Sequence, residues 1–104
     1  MMIKIHTDKT IEGHERLETY FTNIVETALS RFEENITRID LYLGDENNAK
    51  FGLDDKRCTI EAHIAGRQPI AVVNNSDTIE KSVSGSLDKM KKVLETTFSK
   101  MRNY

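Results

Sequence analysis

The chain has 104 residues, 31% of them charged and 38% hydrophobic, with one proline, one cysteine and a formal net charge of −2. That length suits one domain with its own core and no second one, and the balance excludes a disordered chain. A lone cysteine excludes an internal disulfide, MMIKIHTDKT turns polar too soon for a signal peptide, and no apolar run spans a bilayer, so a cytoplasmic protein without membrane contact is expected.

In chain order, Met2 to His6 alternates and reads as a short strand with Ile3 and Ile5 on one face. From Leu17 to Phe32 the apolar residues Leu17, Tyr20, Phe21, Ile24, Val25, Ala28, Leu29 and Phe32 recur at helical spacing. Thr10 is placed to cap that helix, Glu12 and Glu15 suit its positive end, and Asn35 lies beyond its stop. Ile39, Leu41 and Leu43 alternate with Arg38, Asp40 and Tyr42 in a second strand that GDENNAK closes. Next, Cys58, Ile60, Ala62 and Ile64 point one way, and Arg57, Thr59, Glu61 and His63 the other. After a turn at Gly66-Arg67-Gln68, Ile70 to Val73 returns as an antiparallel partner. Asp77-Thr78-Ile79-Glu80 has the form of a capping box with Asp as the cap, and Ile79, Val83, Leu87, Met90, Leu94, Phe98 and Met101 mark a long second helix.

The expected fold is α+β, a β-α-β-β-β-α two-layer sandwich. Strands one and two are parallel if adjacent, the later strands form an antiparallel meander, and both helices cover the apolar face of a four-stranded mixed sheet. Double-stranded RNA-binding domains share this kind of architecture. The other face stays wet.

Chemistry of the enzymatic kind has little footing. Cys58 and His63 have opposite parity, so they cannot form a dyad without breaking the alternation, and the thiol reads as core. One cysteine and three scattered histidines lack the paired spacing of a zinc motif; His6 and His63 share the wet face if their strands lie close. No phosphate loop or nucleophile elbow occurs. The reading is therefore no enzyme, no cofactor, no metal and no small-molecule substrate.

Charge is distributed unevenly. On a helical wheel, Lys81, Lys89, Lys92 and Lys100 fall on one flank of the second helix with Gly85, Thr96 and Ser99, while Asp88, Lys91, Glu95 and Arg102 mix on the other. Asp77 to Arg102 holds six basic against four acidic residues, and Glu12 to Glu34 two against six. A row of lysines free of acids can track phosphates.

DKRCTIEAHIAGRQPIAV, DTIEKSVSGSLDKMKKVLETTFSK and the strand ITRIDLYLGDEN closely resemble the short, single-domain members of the ribosome hibernation-promoting factor family, also called ribosome-associated inhibitor or sigma-54 modulation proteins. The resemblance implies a non-catalytic protein that binds the small ribosomal subunit in the mRNA and tRNA channel and silences ribosomes in stationary phase or stress. Basic side chains of the helices hold ribosomal RNA in this family, and by motif position Lys89 and Lys92 in DKMKK match two of them and Arg31 in LSRFEEN another. Thr96 stands where a further basic residue is common, and helix one is acidic. Lys81 and Lys100 extend the expected RNA contact, with Lys56, Arg57 and Arg67 as additions from the hairpin ends. The competing expectation is a protein-interaction module whose open sheet face, with His6, Tyr42, Glu61 and His63, forms a homodimer or meets a protein partner.

Overall fold

Side-chain alternation along four strands decides everything else in the architecture. The computed structural model describes residues 1–8, 14–45 and 56–102, the side chains of residues 14, 15, 101 and 102 excepted. Within them the chain runs β1 (Met2–Thr7), α1 (His14–Leu29), a 3-10 turn (Ser30–Phe32), β2 (Ile36–Asp45), β3 (Lys56–Ile64), β4 (Ile70–Ser76) and α2 (Ile79–Arg102). The sheet order is β1-β2-β3-β4, with β1 parallel to β2 and the other pairs antiparallel. This is the β-α-β-β-β-α sandwich with a mixed four-stranded sheet. Ile39, Leu41, Cys58, Ile60 and Ala62 are fully buried beneath Phe21, Val25, Leu29, Met90 and Leu94 of the two helices.

Four local features depart from the sequence expectations, each for a physical reason. First, β2 begins at Ile36, three residues before Ile39, yet both are buried. A register shift between Ile36 and Arg38 absorbs Thr37, whose hydroxyl donates to the His63 carbonyl at 3.0 Å, and so turns both isoleucines to the core. Second, α1 stops at Leu29, and the 3-10 turn tightens its end; Phe32 is thereby swung inward against Phe98, with ring centroids 5.7 Å apart. Third, the helix cap is Thr78 and not Asp77: its hydroxyl accepts from the Lys81 N–H at 3.0 Å, while its carbonyl takes the Ser82 N–H. Asp77 instead pairs with the Lys81 ammonium, which together with the Ser76 hydroxyl holds its carboxyl below the usual range.

Fourth, β4 continues past Val73 through Asn74, Asn75 and Ser76, residues poor in strand propensity. Asn74 is half-buried and aims its amide at the Ser82 carbonyl of α2, 3.5 Å away. Gly85 leaves the room for it, since a Cβ at that position would come within 2.7 Å of the Asn74 Cγ. Beside it the Ser86 hydroxyl, fully buried, donates to the Cys58 carbonyl at 2.7 Å. Ser82, Gly85 and Ser86 therefore form the small-residue contact that seats α2 on β3 and β4. Thr10, Glu12 and the part of GDENNAK after Asp45 lie outside the described residues, as do the side chains of Glu15, Met101 and Arg102.

The seat is testable. Gly85→Ala gains about 1 kcal/mol of helix propensity but loses roughly 1–3 kcal/mol to overpacking, so its midpoint of thermal unfolding should fall. In the background of Asn74→Ala the same substitution should become stabilising. Additive effects in that double-mutant cycle would refute the contact.

Candidate nucleic-acid interface and the open sheet face

The lysine flank lies where α2 overhangs the free edge of β4. Lys81, Lys89, Lys92 and Lys100 are all exposed, and the row from Lys81 to Lys100 spans about 28 Å at 1.5 Å per residue. Lys89 donates to the Val73 carbonyl at 2.7 Å, so its aliphatic stem reaches across to the edge strand while its charge meets no carboxylate among the described residues. Lys92 and Lys100 have no ion pair there either; Thr96, between them, spends its hydroxyl on the Lys92 carbonyl at 3.1 Å. Lys81 is the exception, 3.4 Å from Asp77.

The remaining candidates divide in the same way. Arg31 is held by Glu95 and lies over the Phe32 ring at 4.6 Å. Lys56 is 3.1 Å from Asp45, and Arg57 is engaged within the protein as well. Arg67, exposed in the β3–β4 turn where Gly66 takes φ +74°, has no side-chain partner among the described residues. Asn74 meets α2 at Ser82 and Val73 meets it at Lys89, so strand and helix run in opposite senses. The C-terminal half of α2 therefore heads toward that turn, and Arg67 falls toward the same end as Lys100. Of the candidate cations, Lys89, Lys92, Lys100 and Arg67 meet no acid among the described residues, while Lys81, Arg31 and Lys56 each carry one. The exposed pairs of Lys81 and Arg31 hold their partners weakly and exchange readily, whereas the Lys56–Asp45 pair is part-buried.

Cys58 is core, as its parity implies. It is fully buried, and burial pushes its thiol up to about 12, an effect that Ser86 only partly opposes. Its side chain and that of His63 leave opposite faces of β3.

The wet sheet face holds a feature that no sequence pattern announced. Asp40 is only 3% exposed, although it points away from the helices. Its cover is a ring of polar side chains from three strands. His6 Nε2 is 3.0 Å from Oδ1, and Arg38 Nε donates to Oδ2 at 2.8 Å. His63 Nε2 lies 3.1 Å from the same oxygen. Burial alone would raise the Asp40 carboxyl, but the hydrogen bonds from His6 and Arg38 outweigh it and hold the group below its ordinary value. Glu61 approaches His63 Nε2 at 2.8 Å, and His6 stacks on Tyr42 with centroids 4.6 Å apart. His6 and His63 do share this face; what the alternation of β2 could not disclose was that Asp40 sits between them.

Against known proteins, the model of the sigma 54 modulation protein / S30EA ribosomal protein family matches residues 3–102. The chain belongs to that family. No curated protein matches it in sequence. Among solved structures, a ribosomal subunit interface protein from Coxiella burnetii superposes with TM-score 0.70 at 17% identity, covering 95% of this chain and 99% of its own. The N-terminal domain of Protein Y from Thermus thermophilus gives 0.67 at 13% identity, covering 93% and 99%. At such identities the likeness is one of fold. Among the described residues, no helix is long and apolar enough to cross a membrane.

Because Asp40 ionises more easily folded than unfolded, its contribution to stability is complete at neutral pH. It fades as pH falls below the unfolded value of about 3.9 and through the lowered folded value. Asp40→Asn should lose roughly 1.5–3 kcal/mol at neutral pH, measured by urea unfolding, and the gap to the parent should close in acid. A gap that stays constant down to acid would show that the carboxylate charge plays no part. For Cys58, alkylation by iodoacetamide in the folded state should be slow and limited by opening of the sheet, becoming fast only in denaturant.

Proposed function

We propose that this protein is a non-catalytic, ribosome-associated inhibitor of translation. In this reading it binds ribosomal RNA of the small subunit in the channel used by mRNA and tRNA, in the cytoplasm, and keeps idle ribosomes intact under stress or in stationary phase. It works through a single domain spanning residues 1–104, with no cofactor. Membership of the S30EA family supports the ribosome as partner. The observation that carries the site is the Lys89 ammonium at the β4 edge, followed on the same helix flank by the exposed Lys92 and Lys100, all three without acid partners among the described residues.

The mechanism is electrostatic and steric. The lysines, with Arg67 at the turn, neutralise consecutive phosphates, and the rigid sandwich occupies volume that mRNA or tRNA needs. Lys81, Arg31, Lys56 and Arg57 lie in reserve, since each must leave a partner before it can meet a phosphate. Selectivity then rests on the shape of the RNA groove rather than on base reading.

A second reading, docking of a protein or of another copy of the chain on the open sheet face, draws support from Tyr42, Val73 and Met2, which stay 42%, 45% and 56% exposed there. Co-sedimentation with small subunits across a salt series separates the two. Lys89→Glu with Lys92→Glu should weaken binding and lower the slope of log K against log salt by roughly 1.4–1.8, for two lost phosphate contacts. An unaltered slope and affinity would defeat this site, and loss of binding on Tyr42→Ala alone would favour the second reading.

A further inference from the structure

The nitrogen at the centre of the open-face ring cannot satisfy its neighbours. His63 Nε2 offers one hydrogen or one lone pair, yet it lies 2.8 Å from Glu61 Oε1, 3.1 Å from Asp40 Oδ2 and 3.2 Å from Arg38 Nη2. With a proton it faces the guanidinium N–H; with a lone pair it faces two carboxylate oxygens. The three acceptor atoms of Asp40, Glu61 and His63 all lie within 4.8 Å of one another. A cation seated on the nitrogen would satisfy it and both oxygens at once.

We propose that His63 Nε2, Asp40 Oδ2 and Glu61 Oε1 form a binding site for one divalent ion of the zinc class, separate from the lysine flank. The donor set decides the class: one imidazole with two carboxylates suits a borderline metal, and an all-oxygen-seeking ion such as Mg2+ gains nothing from the nitrogen. Bonds of about 2.0–2.1 Å set tetrahedral ligands roughly 3.3 Å apart, so the 2.8 and 3.1 Å separations need to open by only a few tenths of an ångström. Water completes the coordination from the solvent side.

The surrounding groups fit this assignment. His6 holds the other oxygen of Asp40, and Arg38 Nε takes the second lone pair of Oδ2, so both act as positioning residues that orient the buried ligand. Arg38, with a side chain 44% exposed, has room to turn its Nη2 away from the ion. Lys4, beside Asp40 in the β1–β2 register, is exposed and makes no contact with the ring among the described residues. With neutral imidazoles, Asp40, Glu61 and Arg38 sum to one negative charge, which favours a cation.

Titration of the full chain with Zn2+ at neutral pH, followed by calorimetry or competition with a chromophoric chelator, tests the site. The expected result is one saturable equivalent, weakened at least about 10-fold by His63→Ala and by Glu61→Gln. Both substituted residues are only half-buried, and circular dichroism establishes that the variants fold. The His63 ring resonances should shift on addition while Mg2+ leaves them unmoved. No saturation by roughly 100 μM Zn2+, or an affinity indifferent to His63→Ala, would overturn the proposal. Lys89→Glu with Lys92→Glu should leave zinc binding intact, so the fate of this site is independent of the ribosome reading.

Discussion

The rotation of α2 about its own axis is the constraint on which the molecule depends. Ser82, Gly85 and Ser86 give the helix a face without bulk, and there it comes close enough for the Asn74 amide and the Cys58 carbonyl to find partners on it. A helix turned by one residue, ~100°, would drive a larger side chain into Asn74 and carry Met90 and Leu94 off the sheet. The same seat determines which flank is left in water. With Val83, Leu87, Met90, Leu94 and Phe98 directed inward, the lysines have no other place than the side above the β4 edge.

That edge would otherwise be a liability, because an unpaired strand offers its carbonyls and amides to any passing chain. Lys89 answers one such carbonyl with a charged donor. A structural role and an RNA-binding role are compatible in one ammonium group, since it has three hydrogens and the bond to Val73 uses one. The contact also orders a long side chain before any ligand arrives, which reduces the entropy that binding would have to remove. On the wet sheet face the logic differs: there groups of both signs meet one another around the buried Asp40 carboxylate.

The fold was legible because alternation and helical spacing are local. Cys58 to Ile64 and Ile79 to Phe98 declare their inward faces without reference to anything distant. The misreadings all required knowledge of a neighbour. Asn74 and Asn75 look like turn residues until Gly85 is known to leave space for one of them, and Thr78 and Asp77 compete for one cap on geometry that spacing does not contain. Ile36 is out of step with Ile39 by parity, and the bulge that turns both inward is invisible in a single strand. The cations were legible as a row on one flank, but which ones are neutralised was not: Glu95 lies on another element from Arg31, and the lysine at position 89 meets a carbonyl, which carries no sequence signal at all. Asp40 was the least legible, since each of its partners is ordinary alone and the cluster exists only once three strands are in register.

A net charge of −2 is at odds with the proposed RNA partner until distance is considered. The acids of α1 sit on a helix that packs over the β1 side of the sheet, while the lysine flank faces outward above β4. Packed helix axes lie about 8–10 Å apart, and here the relevant charges are on the far sides of the two helices, which adds a side-chain length at each end. At physiological ionic strength the Debye length is about 8 Å, so a phosphate at Lys89 or Lys92 is screened from Glu18 and Glu26 but not from its neighbouring ammonium groups. The field an approaching RNA meets is therefore that of the flank and not of the whole chain. In dilute salt the screening length grows to about 30 Å at 0.01 M and the acidic helix enters the balance. Counterion release strengthens binding as salt falls, while the acids of α1 increasingly oppose it. The affinity of such an asymmetric protein should thus rise less steeply at the lowest ionic strengths than the number of its phosphate contacts alone would require.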